Sequence, residues 1–150
     1  MTISKNLARL LLLTLSFFTV GIANVTAQEN KEYFYQGTIN NRPVRFYLKQ
    51  FANECGGSDT YTAMYQYGKG KNWIELQVQT NEKGNFCFTE IRFTGVLVLK
   101  KSQNSLNGIW ISPDATKQLK VTLSKQSISE KEKEELEKRL EVTHYENFDC

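Results

Sequence analysis

Along the middle of the chain every second residue is apolar and the residues between are mostly polar. Turn residues interrupt this alternation at short intervals. In one such segment Val44, Phe46 and Leu48 share a face, while Arg45 and Tyr47 lie on the other. This two-residue period is typical of β-strands with one buried face. The pattern predicts seven or eight strands, at residues 33–39, 44–48, 60–67, 73–80, 86–93, 94–100, 106–112 and 118–123.

The connections between these segments are short. Segments 86–93 and 94–100 form either two strands or one long strand bent at Gly95. Tight connections make neighbouring strands antiparallel, because parallel neighbours need crossovers of about a dozen residues. An antiparallel meander of this size removes its exposed edges most simply by closing on itself. We therefore predict an all-β fold, an antiparallel up-and-down meander of seven or eight strands that forms a small barrel. A flattened sandwich of two sheets is the alternative.

The pattern changes after the last predicted strand. Ser129 and Glu132 have the spacing of a helix capping box, which predicts a helix from residue 130 to about residue 142. Only Leu136 and Leu140 form an apolar stripe, so we expect a solvated helix that rests two leucines on the barrel. The predicted organisation is a barrel domain over 28–126 and a C-terminal helix and tail over 127–150.

The start of the chain has the features of an export signal. Lys5 and Arg9 precede an apolar run at residues 10–20, and small residues follow up to Ala27. The run is too short to span a bilayer as a helix, which needs about 20 apolar residues. We predict a signal peptide over residues 1–27, cleaved before Gln28. The mature protein is then periplasmic or secreted, with no membrane span after cleavage.

Charge and composition exclude several classes of function. Without residues 1–27 the chain has 17 basic and 16 acidic residues, so it lacks the basic surface that nucleic-acid binding requires. One histidine and three cysteines leave little for a metal centre or for histidine-based acid–base catalysis. No catalytic or phosphate-binding motif occurs in the sequence. We predict no metal, no cofactor and no enzymatic activity.

The three cysteines suggest one disulfide, since exported proteins meet oxidising conditions. In an antiparallel meander Cys55, before the third strand, and Cys87, early in the fifth, lie at the same end of the barrel. Gly56 and Gly57 give the Cys55 loop the freedom to reach across the intervening strand. We predict a Cys55–Cys87 disulfide, with Cys150 bonded to either of them as the competing arrangement.

Four carboxylates are candidates, by residue type alone, for acid–base chemistry on a sugar polymer: Glu54, Asp59, Glu75 and Glu90. The alternation predicts that Glu75 faces solvent. Glu90 has the parity of the apolar residues of its strand, so it either points into the barrel or lies where the strand twists outward. An inward carboxylate is costly unless it has hydrogen-bonding partners.

The aromatic residues are the most informative side chains for function. Tyr61, Tyr65 and Tyr67 share one face of a predicted strand, and Trp110 lies near the end of the meander. Tyrosine and tryptophan combine apolar area with a hydrogen-bonding tip, which suits a ligand wall. The other interpretation is that they fill the core of a small barrel. We take Tyr61, Tyr65, Tyr67 and Trp110 as the candidate ligand-binding residues.

The strand motifs resemble those of a group of small exported bacterial proteins of unknown function. The matching segments are Gly37-Thr38-Ile39, Tyr65-Gln66-Tyr67, Ile74-Glu75-Leu76, the run from Gly108 to Asp114, and Val121-Thr122-Leu123. More distantly, a barrel followed by a helix and a tail looks like the lipocalin and avidin group. Lipocalins carry G-x-W on the first strand, whereas Gly108 and Trp110 come near the end of this chain.

These observations together predict an exported, non-enzymatic binding protein. Its partner would be a small apolar or amphipathic ligand in the mouth of a lipocalin-like barrel, or another protein of the cell envelope. The alternative is a protein inhibitor of an external hydrolase such as lysozyme, acting through the loop at residues 53–59.

Overall fold

The computed structural model describes residues 30–53, 55–81 and 83–148. The strands are β1 (Lys31–Ile39), β2 (Arg42–Phe51), β3 (Thr60–Tyr67), β4 (Ile74–Thr80), β5 (Asn85–Glu90), β6 (Val96–Lys101), β7 (Ser105–Ile111) and β8 (Gln118–Gln126). They form a closed antiparallel barrel in sequence order, and β8 pairs with β1. One helix, α1 (Glu130–Phe148), follows the barrel. The predicted fold class is confirmed, and the 86–100 segment forms two strands.

The up-and-down order gives the barrel two distinct ends. One end gathers the starts of the odd strands and the ends of the even strands, and we call it the lysine mouth after Lys31, Lys101 and Lys125. The other end we call the tryptophan mouth, after Trp110 and its neighbour Glu90. Side chains of one parity on each strand point inward, so residues two apart on a strand occupy successive layers of the interior.

The barrel interior between the two mouths is filled by side chains. The Phe46 and Phe88 rings meet edge to face at 5.1 Å, and Phe86 stacks on Phe88 at 5.4 Å. Leu97 and Leu123 are fully buried beside them. A barrel of eight strands is just wide enough for side chains to fill it. A small-molecule site in the described barrel therefore lies at one of its two ends, because side chains fill the space along the axis.

Helix α1 lies on the outer wall of the barrel. Its capping box is formed: the backbone N–H of Ser129 donates to Glu132 Oε2 at 2.9 Å, and the backbone N–H of Glu132 donates to Ser129 Oγ at 3.3 Å. Leu136 is buried against Phe34, Tyr47 and Met64, with Leu140 packed at the edge of this cluster. The two predicted leucines are thus the ones that attach the helix.

The helix runs further than the sequence pattern predicted, to Phe148 instead of residue 142. Polar contacts hold its last turns to the barrel, beyond the apolar contacts of Leu136 and Leu140. His144 Nδ1 lies 2.7 Å from Glu75 Oε1, and Asn147 Nδ2 donates to Glu75 Oε2 at 2.8 Å. Glu75 does point outward, but the prediction that it faces solvent is wrong, because the last turns of the helix cover it and leave it 8% exposed.

The predicted Cys55–Cys87 disulfide is not formed, and neither thiol has a disulfide partner among the described residues. Cys87 is on the outer wall of β5, in register with Gln79 and Val98. The loop that carries Cys55 leans over the lysine mouth, where its Ser58 and Asp59 face the barrel axis. Both cysteines are at the expected end of the barrel, but Cys87 lies on the outer wall whereas Cys55 is exposed on the loop over the mouth.

Three predictions concern residues outside those described: the signal peptide at 1–27, the candidate carboxylate Glu54 and the pairing of Cys150. The described part of the chain contains no helix with the length and apolarity needed to cross a membrane. Among the described residues, no group of three or more histidine, cysteine, aspartate or glutamate side chains is placed to hold a metal ion.

Candidate functional site

An open hollow of about 610 Å³ occupies the lysine mouth. Its walls are built from inward-facing residues at the strand ends, where the filled core stops. Tyr33, Tyr61 and Phe86 supply apolar surface, and Gln50 and Lys101 supply polar groups. A concave site with aromatic walls and a few polar groups is the usual form of a small-ligand site.

The aromatic walls hold each other in place. Tyr61 meets Phe86 edge to face at 5.2 Å, and Tyr33 stacks on Tyr35 at 6.5 Å. The Tyr33 hydroxyl donates to Gln50 Oε1 at 3.0 Å. Edge-to-face and stacked ring pairs contribute about 1 kcal/mol beyond the area they bury. The rings at this mouth are therefore positioned before any ligand arrives.

Two lysines from neighbouring parts of the wall lie over the same ring. Lys101 Nζ is 3.9 Å from the centre of the Tyr33 ring, and Lys125 Nζ is 5.0 Å from it. Within the described residues neither ammonium group forms an ion pair. Burial lowers the pKa of Lys101, and the nearby charges of Lys125 and Lys31 lower it further.

One carboxylate, Asp59, faces the same hollow, and its two oxygens are already bonded. Gln50 Nε2 donates to Oδ2 at 2.5 Å, and the backbone N–H of Asn53 donates to Oδ1 at 3.2 Å. These hydrogen bonds lower the pKa of Asp59. Its charge contributes to the raised pKa of Tyr61, after the larger effect of burial. Asp59 therefore fixes the loop to the barrel rim.

Tyr35 forms the layer beneath Tyr33. The side chain is fully buried, and its hydroxyl has no hydrogen-bond partner. Burial first, and the neighbouring Tyr33 second, raise the pKa of Tyr35 to about 12. A buried hydroxyl without a partner is uncommon in folded proteins and costs about 1–3 kcal/mol. It leaves an unused polar group next to the candidate site.

The opposite end of the barrel holds a closed polar cluster around Glu90, which is 4% exposed. Oε1 accepts hydrogen bonds from the Tyr65 hydroxyl at 2.5 Å and from Trp110 Nε1 at 2.7 Å, and Oε2 accepts one from Thr94 Oγ1 at 2.6 Å. Gly95 permits this packing, since a Cβ there would lie 2.3 Å from Trp110 Nε1. The inward carboxylate thus has the partners that its burial requires.

The four predicted ligand-binding residues are divided between the two ends. Tyr61 lies in the lysine mouth. Tyr65 and Trp110 meet at Glu90, and Tyr67 lies beside Tyr65 with the Arg42 guanidinium 4.7 Å from its ring centre. Tyr61 and Tyr67 are six residues apart on one strand, so a single pocket cannot hold both.

The sequence analysis missed Tyr33, Lys101 and Lys125. Their parity could have identified them, because Lys101 continues the inward series of Leu97 and Leu99. The candidate carboxylates Glu75 and Glu90 lie on opposite faces of the wall, each bonded to its own neighbours. They do not form an acid–base pair.

The chain matches no protein-family model, no curated protein and no solved structure. The closed barrel is consistent with a small barrel protein, and any finer resemblance rests on the strand motifs alone. The geometry of the two mouths is therefore what indicates a function.

Proposed function

We propose that this is an exported, non-enzymatic binding protein that takes a small amphipathic ligand into its lysine mouth. The observation that carries the proposal is an open, aromatic-walled hollow that also contains two lysines without an ion pair among the described residues. At the tryptophan mouth, by contrast, the polar groups of Glu90, Tyr65, Trp110 and Thr94 are hydrogen-bonded to one another.

The filled core limits the ligand to the mouth. A volume of about 610 Å³ lies within the usual range of small-molecule sites. Fully buried Phe88 and Leu97 occupy the barrel axis below, so a long chain has no channel to enter. The proposed ligand is therefore compact, with an apolar ring or short chain against Tyr61 and Phe86.

A second hollow of about 440 Å³ lies between α1 and the outer wall, but it supports the proposal less well. Its central cation, Arg45, already donates to Gln66 Oε1 at 3.2 Å and lies over the rings of Phe34 and Trp73. Charged side chains of the helix form half of its lining. We assign it to helix attachment.

Fluorescence titration with N-phenyl-1-naphthylamine, a neutral aromatic probe, tests the proposal. We expect saturable binding to the wild-type protein and several-fold weaker binding to Tyr61→Ala, because this change removes an aromatic wall. Tyr67→Ala is the matched control, since it removes the same ring from the opposite mouth. Equal weakening by both substitutions, or no binding to the wild-type protein, would show that the lysine mouth is not the site.

One observation favours the alternative function, a protein inhibitor of an external hydrolase. The loop after β2 is exposed from Cys55 to Ser58, yet it is tied internally: the Cys55 backbone N–H donates to Asn53 Oδ1 at 3.0 Å. A protruding loop held in one conformation binds a cleft at low entropic cost. Cell-wall lysis by lysozyme in the presence of the protein tests this function, and Asn53→Ala should relieve any inhibition.

A further inference from the structure

We infer that the ligand of the lysine mouth carries an anionic group, a carboxylate, sulfonate or phosphate, held between Lys101 and Lys125. This inference rests on the function proposed above and names the chemical class of the ligand. It follows from which charged groups at inward-facing positions have partners and which do not.

Among the described residues, the charge balance of the mouth is positive. Lys31, Lys101 and Lys125 occupy inward-facing positions at the ends of their strands, and the carboxylate among the described residues that faces them is Asp59. Both oxygens of Asp59 are engaged by Gln50 and Asn53. The ammonium groups of Lys101 and Lys125 thus have the π-face of Tyr33 as their described partner. Two like charges therefore share one aromatic face.

Two other charged side chains that are shielded from solvent, Glu90 and Lys49, do have partners. The inward-facing Glu90 receives three hydrogen bonds. On the outer wall, Lys49 is paired with both Glu32 and Glu137. Partly buried charges are normally paired or hydrogen-bonded because desolvation penalises them. Half-buried Lys101 departs from this rule, and an anion from outside that also meets the exposed Lys125 would satisfy it.

A second, independent observation points the same way. The Tyr35 hydroxyl is buried without a partner beneath Tyr33, at the same end of the interior. A hydroxyl is a hydrogen-bond donor, and the oxygens of a carboxylate, sulfonate or phosphate are acceptors. Cations and an unused donor in adjacent layers form a site that favours an anion over a neutral or cationic head group.

The experiment compares two probes with the same ring skeleton. 1-Anilinonaphthalene-8-sulfonate is N-phenyl-1-naphthylamine with one added sulfonate. We expect the wild-type protein to bind the sulfonate about ten-fold more tightly, since hydrogen bonds to charged groups are worth about that factor. Lys101→Gln should remove most of this advantage and weaken binding of the neutral probe much less than binding of the sulfonate. Added salt should weaken binding of the sulfonate alone.

Lys100→Gln is the matched control, because Lys100 is the next residue on β6 and is exposed on the outer wall. Circular dichroism and the urea midpoint of each variant confirm that it is folded. Equal affinities of the wild-type protein for the two probes, or equal effects of Lys101→Gln and Lys100→Gln, would overturn the anionic ligand. Tyr61-dependent binding of the neutral probe would then still support the binding function. Absence of binding by either probe would overturn both.

Discussion

Substitution of the buried carboxylate at the tryptophan mouth tests the account of what closes that end of the barrel. Glu90→Leu keeps a side chain of similar bulk and removes the acceptor for Tyr65, Trp110 and Thr94. Thr94 is exposed, so water replaces its lost bond. Tyr65 is 1% exposed and Trp110 is half-buried, so the donors of these two residues are left unsatisfied.

The magnitude follows from the two stranded donors. Each buried polar group left without a partner costs about 1–3 kcal/mol. Because Trp110 retains some access to water, we expect Glu90→Leu to lower the free energy of unfolding by about 3 kcal/mol. Small domains have about 5–15 kcal/mol in total. The variant should therefore still fold at 25 °C.

Glu90→Gln separates hydrogen bonding from charge. Its amide oxygen can accept from Tyr65 and Trp110, and its NH₂ group can donate to the Thr94 hydroxyl. All three contacts persist, but they lose the charge assistance that roughly doubles the strength of a hydrogen bond. Removal of a buried charge offsets part of that loss. We expect a destabilisation of about 1 kcal/mol, smaller than that of Glu90→Leu.

Urea unfolding, followed by far-ultraviolet circular dichroism and tryptophan fluorescence, measures both variants. Thr94→Val is the control for a donor at the exposed edge of the cluster, and it should cost about 1 kcal/mol or less. A Glu90→Leu protein within about 0.5 kcal/mol of the wild type, at unchanged m-value, would refute the reasoning. A Glu90→Gln protein less stable than Glu90→Leu would refute the division between hydrogen bonding and charge.

Three further predictions concern the backbone and one exposed carboxylate. Phe93 has a φ of +53° and is 56% exposed, so Phe93→Asn should raise the free energy of unfolding by about 1 kcal/mol in urea titrations. Gly37→Ala should lower the melting temperature sharply or prevent folding, because its Cβ would lie 1.9 Å from the Thr122 carbonyl oxygen. Hydrogen bonds from Ser112 and Thr116 lower the pKa of Asp114 to about 2, and NMR titration of Ser112→Ala should show a higher value. The stability that Asp114 contributes is then present above its ordinary pKa and lost as pH falls towards 2.

The barrel could be predicted because its determinants are local. Alternation sets the inward face of each strand, and turn residues set the connections. Asn40 and Asn41 adopt the left-handed backbone that their side chains tolerate, and Gly84 has the expected positive φ. Each hairpin fixes its own register, and eight hairpin-linked strands have one simple way to remove their edges.

The candidate site could not be predicted as easily, because it depends on where strands end. The predicted strands stopped at residues 100 and 123, one and two residues before the inward-facing Lys101 and Lys125. A lysine at the end of a strand usually lies where the strand reaches solvent. For this reason the inward-facing parity of these two lysines was not recognised. The extension of α1 beyond residue 142 was hidden for a similar reason, since polar contacts from His144 and Asn147 to another element hold it.

The polar groups at the two ends of the filled barrel differ in whether they have hydrogen-bonding partners. Around Glu90 the described donors and acceptors match, so the cluster stabilises the fold and has little capacity left for a ligand. At the lysine mouth, two ammonium groups share Tyr33 and the Tyr35 hydroxyl lacks a partner. Apolar residues in place of Lys101 and Tyr35 would leave fewer polar groups without a partner at the lysine mouth. Polar groups without partners beside an open aromatic hollow favour ligand binding, and for this reason we propose the lysine mouth as the binding site, not the more conspicuous cluster of Tyr65 and Trp110.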